Sequence, residues 1–141
     1  MAKLSKDFFD GNEVLFVGYS SRNRVFSRQV YQAFMRNGIK VYPLNNKANG
    51  SYDVKVYKSM SELPKTPRSA YVLLNKNNSI SVVRHLAENG IKKVLFQNKK
   101  IADSDTLNEC EKLGIEAAVG CPMMVFGSGF HKIHGFFAGA R

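Results

Sequence analysis

An α/β chain with an open, doubly wound and mostly parallel sheet is the fold class this sequence predicts, on three observations. Glycine recurs in the same setting at Asn37-Gly38-Ile39-Lys40, Asn89-Gly90-Ile91-Lys92 and Leu113-Gly114-Ile115-Glu116. Each closes a helical pattern and opens an apolar run, as when glycine takes the left-handed conformation just past a helix end. The apolar runs are short and continuous rather than alternating, the pattern of strands covered on both faces. Between them, apolar residues recur at helical spacing. Alternating strands and helices with right-handed crossovers give a Rossmann-like fold: about five or six strands flanked by helices, in one domain over residues 1–141.

Element by element, the first strand falls on Val14-Leu15-Phe16-Val17, and Phe26, Val30 and Phe34 mark the buried stripe of the first helix. The second strand falls on Ile39-Lys40-Val41-Tyr42. Residues 47–68 are irregular, with Gly50, a short strand expected at Val54–Tyr57, and breakers at Pro64 and Pro67. Ala70–Leu74 is the next core strand. Ile80, Val83 and Leu86 follow on a helix capped by Asn78 or Ser79, then the strand Val94-Leu95-Phe96. Leu107, Cys110 and Leu113 line a helix capped by Asp103 or Ser104, and Ala117-Ala118-Val119 is the last strand.

The composition, 44% hydrophobic and 23% charged, is that of an ordinary globular domain, and only the charge is unusual: Lys and Arg number 21 against 11 Asp and Glu, a formal net charge of +10. That excess draws anionic partners, whether nucleic acid, phosphorylated metabolites or a membrane surface. The first ten residues lack a secretory signal pattern, and no run approaches the roughly 18 apolar residues that cross a bilayer. The expectation is a cytoplasmic protein without membrane insertion, with Cys110 and Cys121 as thiols.

In doubly wound sheets, ligands bind outside the carboxyl ends of the strands, and the first strand-to-helix loop cradles phosphate. Here that loop reads Gly18-Tyr19-Ser20-Ser21-Arg22-Asn23-Arg24. Backbone N–H groups at a helix start, serine hydroxyls and guanidinium groups all donate to phosphate oxygens. A nicotinamide site would need G-x-G-x-x-G and an acid after the second strand. Gly18 stands alone, and the second strand runs into Tyr42-Pro43-Leu44-Asn45-Asn46-Lys47. A lysine in place of the acid suits an additional phosphate, such as NADP or coenzyme A carries, and the missing glycines count against NADP.

The segment VGYSSRNRVFSRQVYQAFMRNGIKVYPLNNK resembles the first half of the small bacterial and archaeal CoA-binding proteins, and is similar to the CoA-binding domain of the succinyl-CoA synthetase alpha subunit. The resemblance spans roughly Asn12 to Phe126. It implies a phosphate loop at Ser20, Ser21, Arg22 and Asn23, a post-strand turn at Pro43 and Asn45, and a phosphate-binding lysine at Lys47. It also implies cofactor-lining residues at Leu74, Asn75 and Lys76, and a cysteine of the last strand at Cys121. Asn46 departs from the usual proline of that turn, and Ser21 from the synthetase glycine.

The function expected is therefore binding of coenzyme A or an acyl-CoA without catalytic residues, since no Ser/His/acid or paired-carboxylate arrangement stands out. Cys121 is weighed between a core thiol and one meeting the CoA arm. His131 and His134 with Cys121 fall short of an ordered zinc site, so no metal is expected. The terminal Phe130, Ile133, Phe136 and Phe137 are expected to pack on the body or on another subunit, the second of which would make a homo-oligomer. One rival is the cofactor part of an acyl-CoA synthetase or ligase acting with a partner chain. Another is nucleic-acid binding, less favoured because the aromatics sit at core-like spacings.

Overall fold

In the computed structural model, the described residues are 6–19, 24–46, 54–74 and 79–126. They form five parallel strands: β1 (Glu13–Val17), β2 (Lys40–Leu44), β3 (Ser69–Val72), β4 (Lys93–Phe96) and β5 (Glu116–Val119), in the order β2-β1-β3-β4-β5. Four α-helices accompany them: α1 (Arg24–Arg36), α2 (Ser79–Glu88), α3 (Ser104–Lys112) and a short α4 (Pro122–Phe126). The doubly wound α/β class expected from the sequence is the one observed.

Side chains alternate across each strand, so every strand feeds two cores. Val14 and Phe16 of β1 join Val41, Tyr71, Leu95 and Ala118 under α1 and α4, with Phe8 and Phe9 from the N-terminal 3-10 turn region. Leu15 and Val17 join Leu44, Val72, Val94 and Phe96 under α2 and α3. This two-sided burial accounts for the continuous apolar runs. The helix stops repeat one geometry: Ile39 N–H donates to Phe34 C=O (3.0 Å), Ile91 to Leu86 (3.1 Å) and Ile115 to Cys110 (2.9 Å). These are the six-to-one bonds of Schellman closure. Asp103 caps α3, its carboxylate accepting from Thr106 N–H at 2.9 Å. Of the caps expected for α2, Ser79 lies inside the helix as its first residue and Asn78 lies outside the described residues.

Two expectations are corrected. Pro43 lies within β2, opposite Phe16 of β1, and not in a turn. β2 is an edge strand, and the Pro43 carbonyl points away from β1 to accept from Tyr57 N–H at 2.9 Å. The missing proline N–H lies on that same outer side, so the β1–β2 ladder loses nothing. The short strand expected at Val54–Tyr57 reduces to one parallel bridge, Tyr57 to Leu44. In the parallel register set by that bridge, the preceding rung would need an N–H from Pro43, which proline lacks, so Val54–Val56 find no ladder to join. The helix α4 and the buried pair Phe8 and Phe9 were not anticipated. The terminal residues His131, His134, Phe130, Ile133, Phe136 and Phe137 lie outside the described residues.

Candidate ligand cleft at the switch point

The sheet order reverses direction at β1: the chain steps from β1 outward to β2, then returns past it to β3. Ligands of open α/β sheets sit at such a point, beyond the carboxyl ends of the strands. A cleft of about 550 Å³ opens there, lined by the strand ends Val17, Gly18, Leu44, Asn45 and Leu74. Met60 and Lys58 come from the crossover, and Ser81, Val82, His85 and Leu86 from α2. That volume lies within the range of small-molecule sites. Among the described residues, Lys58 is the only lining side chain that carries a permanent charge, and none of the lining side chains is a carboxylate.

Gly18 makes the floor. Its φ is +92°, and its N–H donates to Leu44 C=O at 2.8 Å. A Cβ at this position would stand 2.1 Å from Leu73 C=O, so the chain leaving β3 crosses where any other side chain would begin. Asn45 ties the first two loops together: its Nδ2 donates to Tyr19 C=O at 2.8 Å, and its backbone N–H donates to Tyr57 C=O at 2.9 Å. Tyr19 is wholly buried, its ring edge-on to Phe16 and Tyr31. Its side chain therefore belongs to the α1-side core, and only its backbone borders the loop.

Of the residues expected at the site, the cleft brings together Gly18, Asn45 and Leu74. Arg24 begins α1. Pro43 is in β2, and Ser20, Ser21, Arg22, Asn23, Lys47, Asn75 and Lys76 lie outside the described residues. Lys58, Met60, Ser81 and His85 were not anticipated. The signal that could have pointed to the first two is Ser59-Met60-Ser61-Glu62, a capping-box spacing that starts a turn. It forms a single 3-10 turn at Met60–Glu62, with Glu62 Oε1 accepting from Lys58 N–H at 3.0 Å.

Cys121 stands elsewhere. It follows β5 and precedes α4, its carbonyl accepting from Met124 N–H at 3.0 Å. It lines a second groove of about 670 Å³ between α1 and α4, with Phe26, Gln29, Gln32, Arg36, Met123 and Met124. Its charge contributes, after burial, to holding the Tyr71 hydroxyl well above the usual phenol range; that hydroxyl donates to Gln97 Oε1. Cys110 is 1% exposed, and burial, with the Glu109 charge second, pushes its thiol up to about 11.

The two thiols will therefore part company chemically. A maleimide at about pH 7.5 will label Cys121 alone in the folded protein and both cysteines after unfolding, read by intact mass. Because the folded Cys110 value lies above the unfolded one of about 8.5, its contribution to stability is intact below that pH and is lost as pH rises towards about 11. Urea midpoints that do not fall across this interval in the wild type more than in Cys110→Ala would contradict the assignment.

The family of CoA binding domains matches residues 12–127 of the chain. No curated protein matches it. Among solved structures, it is similar to Prb, a protein redesigned for binding, at TM-score 0.70 and 18% identity, covering 92% of this chain and 86% of that one. A conserved hypothetical protein from Pyrococcus furiosus matches at TM-score 0.65 and 24% identity, over 77% of this chain and 92% of that one. The dinucleotide-forming acetyl-coenzyme A synthetase of Ca. Korarchaeum cryptofilum matches at TM-score 0.62 and 18% identity, over 79% of this chain but only 26% of that one. At these identities the structural likeness speaks to the fold.

Proposed function

We propose that this chain, which belongs to the family of CoA binding domains, holds coenzyme A or an acyl-CoA along the carboxyl edge of its sheet, without catalytic chemistry of its own. The observation that carries the reading is the cleft at the switch point, with a lysine and no carboxylate in its described lining. The pyrophosphate is assigned to the loop after Gly18, where Ser20, Ser21, Arg22, Asn23 and Arg24 supply donors at the start of α1. Lys47, Asn75 and Lys76, which follow β2 and β3 in sequence, are assigned to the same ligand on the strength of the resemblance. The adenine is assigned to the space between Asn45, Met60 and Leu74, displaced from Pro43 because that residue is in the strand.

The pantetheine arm then runs across the carboxyl edge towards β5. From β1 to β5 are three inter-strand steps, roughly 14 Å in all. Cys121, just past β5, is where such an arm would end. Among the described residues no group of three or more His, Cys, Asp or Glu is arranged to hold a metal, and no helix is long and apolar enough to cross a membrane. A binding role needs neither.

Titration with CoA at near-physiological salt, followed by native mass spectrometry, tests the reading. The expected result is a one-to-one complex with affinity well below about millimolar, lost on denaturation. No binding below about millimolar would overturn it. Nucleotide-dependent thioester formation by the pure protein would overturn the non-catalytic part alone.

A further inference from the structure

In nicotinamide-binding sheets, an acid just past the second strand accepts from the free ribose hydroxyls, so the sign of the group at that place selects the ribose substituent. By position along the chain, that group is Lys47. By position in space, the structure offers another. Tyr57 pairs in parallel with Leu44, the last residue of β2, so the next residue, Lys58, runs alongside Asn45, the first residue beyond the strand. Two backbone bonds hold this return in place, Tyr57 N–H to Pro43 C=O and Asn45 N–H to Tyr57 C=O, each 2.9 Å. Glu62 fixes the next step by accepting from Lys58 N–H, and Ser59 Oγ shares a 2.8 Å hydrogen bond with Ser61 Oγ. The crossover thus delivers a cation to the wall of the cleft at the point where related sheets place an acid. Lys58 makes no ion pair with any described residue, and Glu62, the carboxylate bound to its backbone, does not line the cleft. His85 of α2 adds an imidazole to the same lining.

We infer that Lys58 is a specificity-determining residue that binds a phosphomonoester on the ribose of the nucleotide held in this cleft, making the site selective for the phosphorylated ribose over the free diol. The inference rests on the CoA reading above for the identity of that nucleotide. A phosphomonoester of this kind is carried by coenzyme A and also by NADP, and each has a counterpart without it, dephospho-CoA and NAD. A charge-assisted contact present in one member of a pair and absent from the other separates their affinities by about tenfold or more.

Calorimetric titration of all four nucleotides against the wild type, Lys58→Ala, Lys58→Arg and the control Lys55→Ala tests it. Lys55 lies over the Tyr57 ring and outside the cleft lining. Wild type is expected to prefer CoA to dephospho-CoA by about tenfold, Lys58→Ala to lose that preference through weaker CoA binding with dephospho-CoA unchanged within about twofold, and Lys58→Arg to restore it. Lys55→Ala keeps the wild-type preference. Lys58 is exposed, so its variants are expected to keep the wild-type urea midpoint. Equal wild-type affinity for CoA and dephospho-CoA, or equal weakening of both by Lys58→Ala, overturns the inference while leaving CoA binding standing. Selectivity for NADP over NAD, lost in Lys58→Ala and without CoA binding, retains the role of Lys58 and overturns the CoA reading. Binding of none of the four overturns both.

Discussion

Gly18→Ala will destabilise the fold by about 4 kcal/mol or more and abolish ligand binding with it. Two independent costs fall on the same atom. At φ +92° an alanine leaves the allowed left-handed region, a strain of about 1–3 kcal/mol. The added methyl also stands 2.1 Å from Leu73 C=O, a main-chain atom that cannot swing aside as a side-chain tip can. Relief requires the exit of β3 to part from the exit of β1 by about an ångström, which stretches Leu73 N–H to Val17 C=O (3.0 Å) and Gly18 N–H to Leu44 C=O (2.8 Å). Those bonds define the cleft floor, so stability and binding fall together. The measurements are the urea midpoint and CoA titration of Gly18→Ala. A variant with wild-type midpoint and affinity would mean that the β1 and β3 exits do not cross as described.

The expected loss differs in kind from that of a residue whose ligand contact alone is removed, and this bears on what could be read in advance. Gly18 was legible as a loop glycine because a strand ran into it, but the carbonyl it accommodates belongs to a residue 55 positions later in the chain. The strands and the helix stops were legible for a local reason: continuous apolar runs report burial on both faces, and a glycine followed by an apolar residue reports Schellman closure. Pro43 misled because the resemblance implied a post-strand turn there, and only the strand order shows that β2 is an edge, where a proline fits within the strand. Lys58 was missed because its place depends on the return of the crossover to Leu44, a pairing with no periodicity to announce it. Tyr19 looked like part of a polar loop, yet its ring is drawn into the core by Phe16 and Tyr31. Local chemistry pointed to the edge of the sheet at which the cleft opens; long-range pairing decides which side chains line it.

The same distinction predicts what happens when the opposite core is opened. Phe34, on the inner face of α1, is wholly buried, with Phe9 edge-on at 5.1 Å, Phe126 at 5.4 Å and Tyr71 at 5.9 Å between ring centroids. Phe34→Ala removes the ring that all three share, and the expected loss is about 3–5 kcal/mol, a fall in Tm on the order of 10 °C. Phe34→Leu, which keeps most of the volume, is expected to cost about 1 kcal/mol. α4 is five residues long and held to this face by Phe126, whose carbonyl accepts from Asn37 Nδ2 at 3.3 Å. Loosening Phe126 therefore frees the turn that carries Cys121, and maleimide labelling of Cys121 will accelerate in Phe34→Ala. The cleft lies under the other core, among Leu44, Met60, Val82 and Leu86, none of which packs in the Phe34 cluster. At temperatures where the variant stays folded, CoA affinity is thus expected to remain within about threefold of wild type while thiol reactivity rises. If affinity collapses as labelling speeds up, the two faces are coupled through the sheet.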